Sequence, residues 1–235
     1  MRVLVVTAVP VERDAVTRAF GGGPETVALP GAELHRLGAF DVLAGGAGPA
    51  AAAAATAFAL ASASAPYGLV VSAGIGGAFT PLTPLGSLVV ASDIVAADLG
   101  ADTPDGFLPV TALGFGRDRF APPPALVRKV AAAAGAAPGP VLTVSTVTGT
   151  AERAGALLAA HPGALAEAME GFGVAEAAAR AEVPVLELRA VSNAVGPRDR
   201  DAWRIGDALA ALTEAFGKTA PVLEGWNRHD DRHRG

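Results

Sequence analysis

Residues 42–92, 51 in succession, contain no Asp, Glu, Lys or Arg. A span that long without charge belongs either in a bilayer or inside a folded domain. A membrane-crossing helix needs about 20 consecutive, strongly apolar residues. Here Pro49, Pro66, Pro81 and Pro84 interrupt the run, glycines crowd it, and its bulk is alanine, which covers little apolar area. That leaves the folded interior. Met1-Arg2 leads straight into VLVVTAV, with no small-residue cleavage pattern before Glu12. The expectation is a soluble, cytoplasmic protein with no membrane partner.

Composition narrows the choice. With 51% hydrophobic and 17% charged residues, the chain has ample material for a core, which excludes disorder. Its 18 Lys and Arg against 23 Asp and Glu, a net charge of −5, speak against a nucleic-acid partner. Zero cysteines remove disulfides, thiolate metal ligands and Cys nucleophiles together.

Along the chain, residues 3–8 form a short apolar run suited to a strand buried on both faces. Pro10 opens a helix over 11–20, stopped by three glycines. Weak strands at 33–37 and 40–44 precede the turn Gly45-Gly46-Ala47-Gly48-Pro49 and an Ala-rich helix to about 62. A strand at 69–72 runs into a second turn, Gly74-Ile75-Gly76-Gly77, and another strand covers 88–96. The second half repeats the rhythm: helix 123–134, strand 141–147, helix 151–160, helix 175–182, strand 185–191 and a closing helix from 203 to 216 or beyond. Strands alternating with helices and no linker predict one α/β domain over 1–226 and a polar tail over 227–235. His229 and His233 in that tail read as solvated rather than as metal ligands, and no metal is expected.

Glycine-rich turns after buried strands are where α/β proteins place ligands, because backbone N–H groups approach there without Cβ interference. Each cluster is equally readable as a plain tight turn. Neither is a phosphate-binding P-loop, since no Gly-Lys-Ser/Thr follows. Glu12 follows the first strand, either as a site acid or as a solvated first-turn acid favoured by the helix dipole. Glu170 stands among apolar residues at a helix entry, where it either caps the helix or needs a partner or ligand. Asn193 ends the last strand, either as a turn former or as a reader of a ligand.

Four segments together resemble the nucleoside phosphorylase/nucleosidase family, in its methylthioadenosine/S-adenosylhomocysteine nucleosidase-like branch. They are the opening strand leading to Glu12, the Gly74-Ile75-Gly76-Gly77 turn, Glu167-Ala168-Met169-Glu170-Gly171, and Leu188-Arg189-Ala190-Val191-Ser192-Asn193. The resemblance implies a three-layer α/β/α sandwich around a twisted mixed sheet, assembled as a homodimer or higher oligomer. It implies a small-molecule purine nucleoside as partner, with no cofactor. Glu12 would orient or activate a water, Met169 and Glu170 would hold the ribose, and residue 193 would read the purine. Gly74, Ile75, Gly76 and Thr148 would complete the substrate pocket.

Adenine nucleosidases of the branch carry Asp where this chain has Asn193. A carboxylate suits the amino group of adenine, whereas an amide offers an N–H to O6 and an oxygen to a protonated N7. Asn193 therefore points to a 6-oxopurine, because the mismatched base would leave buried polar groups unpaired. The segments 144–150 and 192–203 resemble a subgroup whose inosine-like substrate carries a carboxylated aromatic group at its 5′ end. Arg198 or Arg200 is the candidate cation for that carboxylate, with Trp203 and Phe79 as candidate aromatic contacts. The charge-free run offers no Lys or Arg for a phosphate, so hydrolysis is expected over phosphorolysis. Another purine nucleosidase or phosphorylase, and a non-catalytic nucleoside-binding module, are the competing readings.

Overall fold

The computed structural model describes residues 1–227. Strand β1 (Arg2–Thr7) is buried from its second residue onward, as its unbroken apolar run requires. Pro10 occupies the first turn of α1 (Pro10–Arg18), where a missing N–H does no harm. An antiparallel meander follows, of β2 (Glu25–Leu29), β3 (Ala32–Leu37) and β4 (Phe40–Ala44). Then come α2 (Pro49–Ala61), β5 (Tyr67–Ala78) and β6 (Leu88–Ala96). A hairpin of β7 (Gly100–Thr103) and β8 (Gly106–Pro109) precedes the short β9 (Arg119–Phe120). The rest of the chain forms α3 (Pro124–Ala134), β10 (Ala137–Thr143), α4 (Ala151–Ala160) and β11 (Ala166–Ala168), then α5 (Gly171–Arg180), β12 (Val185–Ala194) and α6 (Ile205–Gly225).

The main sheet runs β11-β10-β6-β12-β5-β1-β4-β3-β2, with β9 beside β6. Strands β4, β1, β5 and β12 are mutually parallel, while β6 meets β12 antiparallel, so the sheet is mixed. Helices α1, α3 and α6 cover one face through Val16, Leu126 and Phe216; α2 and α5 cover the other through Ala52, Val174 and Ala178. This is the expected three-layer α/β/α sandwich. Small residues let α2 and α5 approach each other closely: a Cβ on Gly173 would stand 2.0 Å from the Pro49 carbonyl oxygen. Among the described residues no helix is long and apolar enough to cross a membrane.

The structure corrects one expectation that bears on the site. The segment Gly74-Ile75-Gly76-Gly77 is not a turn but the continuation of β5, which pairs with β12 as far as Ala78. Its glycines serve close approach instead. Strand β11 crosses there, pairing with β5 at Gly77 and Ala78, and a Cβ on Gly76 would stand 2.9 Å from the Glu167 carbonyl oxygen. Strand β11 thereby bonds to both β10 and β5, curling one end of the sheet back on itself. The strand expected over 141–147 stops at Thr143, and α5 begins at Gly171, four residues ahead of expectation. The tail histidines, His229 and His233, lie outside the described residues.

Candidate active site

The carboxyl ends of the parallel strands β1, β5 and β12 open onto a cavity of about 220 Å³. Of the residues singled out in the sequence, Glu12, Ile75, Gly76, Thr148, Met169, Glu170, Asn193 and Trp203 line it. Residues more than 180 positions apart are thus brought to one wall by the strand order alone.

Glu12 is 3% exposed, which overturns its reading as a solvated acid. From the first turn of α1 its Oε2 accepts the N–H groups of Ala8 at 3.0 Å and Val9 at 3.2 Å. Its Oε1 accepts the Ile75 N–H at 2.8 Å, tying the helix to β5. Burial pushes the Glu12 carboxyl above its usual range, opposed by the Ile75 N–H and by the nearby Arg189 charge. Such a carboxyl is held rigidly yet takes a proton more readily than a surface acid, which suits a general base. Gly74 does not line the cavity. A Cβ there would lie 2.6 Å from Glu12 Oε1 and 2.8 Å from Arg189 Nη1, so its bare Cα makes room for both groups.

Glu170 stands at the N-cap of α5 but makes no side-chain cap bond, so the capping reading is overturned as well. Its Oε1 accepts the Gly48 N–H at 3.2 Å, and its Oε2 accepts from Met169 N–H at 3.3 Å and faces Arg189 Nη1 at 3.2 Å. The first glycine turn, at positive φ on Gly46 and Gly48, thus presents its N–H to a protein carboxylate. Thr148 spends both its donors on the buried Glu167, its N–H at 2.9 Å and its hydroxyl on the other oxygen. Burial pushes Glu167 above its usual range, with the two Thr148 bonds opposing.

Asn193 sits just past a register shift in β12. Its Oδ1 accepts the Ser192 hydroxyl at 2.8 Å and its Nδ2 donates to the Ala194 carbonyl at 3.0 Å. Each polar atom keeps further hydrogen-bonding capacity for a ligand. Arg198 is outside the cavity wall, its guanidinium 5.1 Å from the Trp203 ring centroid, with Arg200 at 5.8 Å. Phe79 is 1% exposed in a separate apolar cluster with Val95 and Leu142, so it is no aromatic contact for a substrate.

Three buried ionisable side chains escaped the sequence reading as participants: Glu167, Glu187 and Arg189. Glu187 and Arg189 alternate within the otherwise apolar stretch 185–191, and that period-2 placement is the available signal.

Residues 5–223 match the family model of the phosphorylase superfamily, and the chain belongs to it. The methylthioadenosine/S-adenosylhomocysteine nucleosidase of Neisseria meningitidis, solved with methylthio-immucillin-A, superposes with a TM-score of 0.79 at 21% identity, covering 94% of this chain and 99% of that one. The corresponding Colwellia psychrerythraea enzyme, solved with adenine, gives 0.77 at 20% identity over 93% and 95%. Within the superfamily the chain belongs to the futalosine hydrolase family. It is 67% identical over 234 residues to the futalosine hydrolase of Streptomyces coelicolor, spanning 98% of this chain and all of that protein (100%). The futalosine hydrolase of Acidothermus cellulolyticus is 46% identical over 218 residues, 91% of this chain and 88% of that protein.

Proposed function

We propose that this chain hydrolyses the N-glycosidic bond of futalosine, releasing hypoxanthine and dehypoxanthine futalosine on the route to menaquinone. The observation that carries the reading is the 67% identity, end to end, with the Streptomyces coelicolor futalosine hydrolase. The cavity's chemistry supports it.

Cleavage of C1′–N9 leaves positive charge on the ribose and negative charge on the purine. Glu170, aimed by Gly48 and Arg189, accepts hydrogen bonds from the ribose hydroxyls and makes the sugar more electron-rich, with Met169 against the same ring. Asn193 Nδ2 turns its second hydrogen to O6, while Oδ1 accepts from N7 once that nitrogen has taken a proton from solvent. Water attacks C1′, its oxygen forms the new bond, and Glu12 takes its proton. Each contact strengthens as charge develops, which is the condition for acceleration. Trp203, with Arg198 and Arg200 on its ring, is the candidate subsite for the 5′ carboxylated aromatic group.

The test is incubation with futalosine, with and without phosphate, followed by product identification. Hypoxanthine release that is independent of phosphate supports the reading. No hypoxanthine from futalosine, with ribose 1-phosphate formed from inosine and phosphate, overturns it. The reading includes a cytoplasmic location and self-association. Phe58 and Phe115, 50% and 65% exposed, support the latter, and sedimentation velocity measures it.

A further inference from the structure

Behind the cavity lies a carboxyl group that the reaction as described does not use. Glu187 is 0% exposed in β12, two residues before Arg189 and on the same side of the strand. Its Oε1 accepts Arg189 Nε–H at 2.8 Å, and its Oε2 has no hydrogen-bond partner. A Cβ on Gly171 would stand 2.3 Å from that bare oxygen, so the glycine that opens α5 admits the carboxyl group beneath the helix. An apolar side chain would fill such a place without desolvation cost. A glutamate there asks for a use.

The use lies in the geometry of Arg189. Its Nε is held by Glu187, its Nη2 donates to the Ser72 hydroxyl at 3.0 Å, and its Nη1 faces Glu170 at 3.2 Å. Fixing Nε on one edge and Nη2 on another sets the plane of the guanidinium, and so the direction in which Nη1 points. The same cation faces three carboxyl groups: Glu12 from α1, Glu170 from the start of α5, and Glu187 from its own strand. They are unequally supplied with donors. Glu12 accepts three backbone N–H groups, and Glu170 accepts two besides facing Nη1. Glu187 accepts only from Arg189, and one of its oxygens is bare. Of the three it is the least equipped to carry a negative charge in a dry interior. Burial pushes its carboxyl upward, and the Glu170 charge adds to this against the pull of Arg189.

We propose that Glu187 is a positioning residue for the glycosidic cleavage, holding Arg189 through Nε in its neutral, protonated form and leaving the guanidinium charge to Glu170 and Glu12. The inference rests on the nucleosidase reading of the cavity. It is tested with Glu187→Gln, which has the shape of the neutral acid, and Glu187→Leu, which removes the acceptor. kcat and KM for futalosine are measured from pH 6 to 9 beside the thermal unfolding midpoint. Glu187→Gln is expected to keep kcat within about threefold of the parent. Glu187→Leu is expected to unfold cooperatively and to lose at least about tenfold in kcat, with KM changed by less than about threefold. Parental kcat in Glu187→Leu, or a loss in Glu187→Gln as large as in Glu187→Leu, overturns the proposal. Should the leucine variant not fold, a tenfold loss in Glu187→Gln overturns it and a parental rate supports it. A parent that leaves futalosine intact overturns the functional reading instead, and the variants are then compared on the nucleoside it does cleave.

Discussion

Gly74→Ala adds one methyl group in the core of β5 and is expected to damage catalysis far more than its size suggests. The backbone there is ordinary strand, so alanine brings no conformational strain of its own. The harm comes from what the methyl meets: Glu12 Oε1 at 2.6 Å, Arg189 Nη1 at 2.8 Å and Glu12 Cδ at 3.1 Å. Moving Oε1 from 2.6 Å out to ordinary contact at 3.4 Å is a retreat of about 0.8 Å. Neither neighbour is a loose side-chain end. Glu12 is tied by the N–H groups of Ala8, Val9 and Ile75, and Arg189 by Glu187 and Ser72. The retreat therefore breaks or stretches the Ile75 bond and swings the carboxylate off its line to the attacking water. A misplacement of about 1 Å can cost on the order of a hundredfold in rate, so kcat should fall between about ten- and a hundredfold. Overpacking of this kind costs about 1–3 kcal/mol of stability. The assay is hypoxanthine release at saturating futalosine, read beside a urea unfolding curve. Gly217→Ala on the exposed flank of α6 is the matched control, since a Cβ there meets nothing within 4 Å. That change should leave kcat alone and raise stability by up to about 1 kcal/mol. Parental kcat in a Gly74→Ala protein that folds normally would refute the claim that Gly74 exists to seat Glu12 and Arg189.

Glu12→Gln and Glu170→Gln should each lower turnover by at least about a hundredfold, and near-parental rates in both would remove the proposed site. Because burial raises the Glu12 carboxyl and only its ionised form takes a proton from water, kcat/KM should fall as pH drops through a value above 4.5. A profile still flat at pH 4.5 contradicts that role. Asn193→Asp should shift preference from 6-oxo toward 6-amino analogues, since a carboxylate repels O6 and accepts from an amino group; unchanged selectivity in a competition assay means that residue 193 is not the reader. Arg198→Met and Arg200→Met should raise KM for futalosine without comparable effect on inosine, and an unaltered KM in both dissociates these arginines from the 5′ carboxylate.

Much of this architecture was legible because its elements carry their own patterns. The apolar run of β1, the proline start of α1 and the uncharged α2 each declare themselves locally. The missed strands do not. Ala166–Ala168 is a strand only because β5 and β10 offer backbone partners on both sides, which no three-residue pattern can announce. The Gly74–Gly77 misreading has the same origin: glycine reads locally as a turn, whereas here Gly76 answers to a crossing strand and Gly74 to two buried side chains. Glu12 and Asn193 stand out by their places at strand ends, and Glu170 by its apolar company. That two of them face one buried cation depended on the strand order, which places β12 beside β5 and β5 beside β1.

The choice between water and phosphate illustrates the same limit more sharply. Residues 42–92 hold no Lys or Arg, yet β12 sends an arginine toward the cavity. Had Arg189 been free, a phosphate beneath the ribose would have had its cation after all. Instead Glu187, Glu170, Ser72 and the Ile75 carbonyl engage its guanidinium on every nitrogen, and a Cβ on Gly74 would strike it and Glu12 together. Among the described residues lining the cavity stand Glu12, Glu167 and Glu170 and neither Lys nor Arg. A phosphate dianion entering there would face carboxyl groups that disfavour it, with the local positive charge already engaged. A neutral water meets no such barrier, and in the proposed mechanism Glu12 accepts its proton. What discriminates the nucleophile is therefore the engagement of one arginine rather than the lack of any, and that is a property of pairing that composition cannot express.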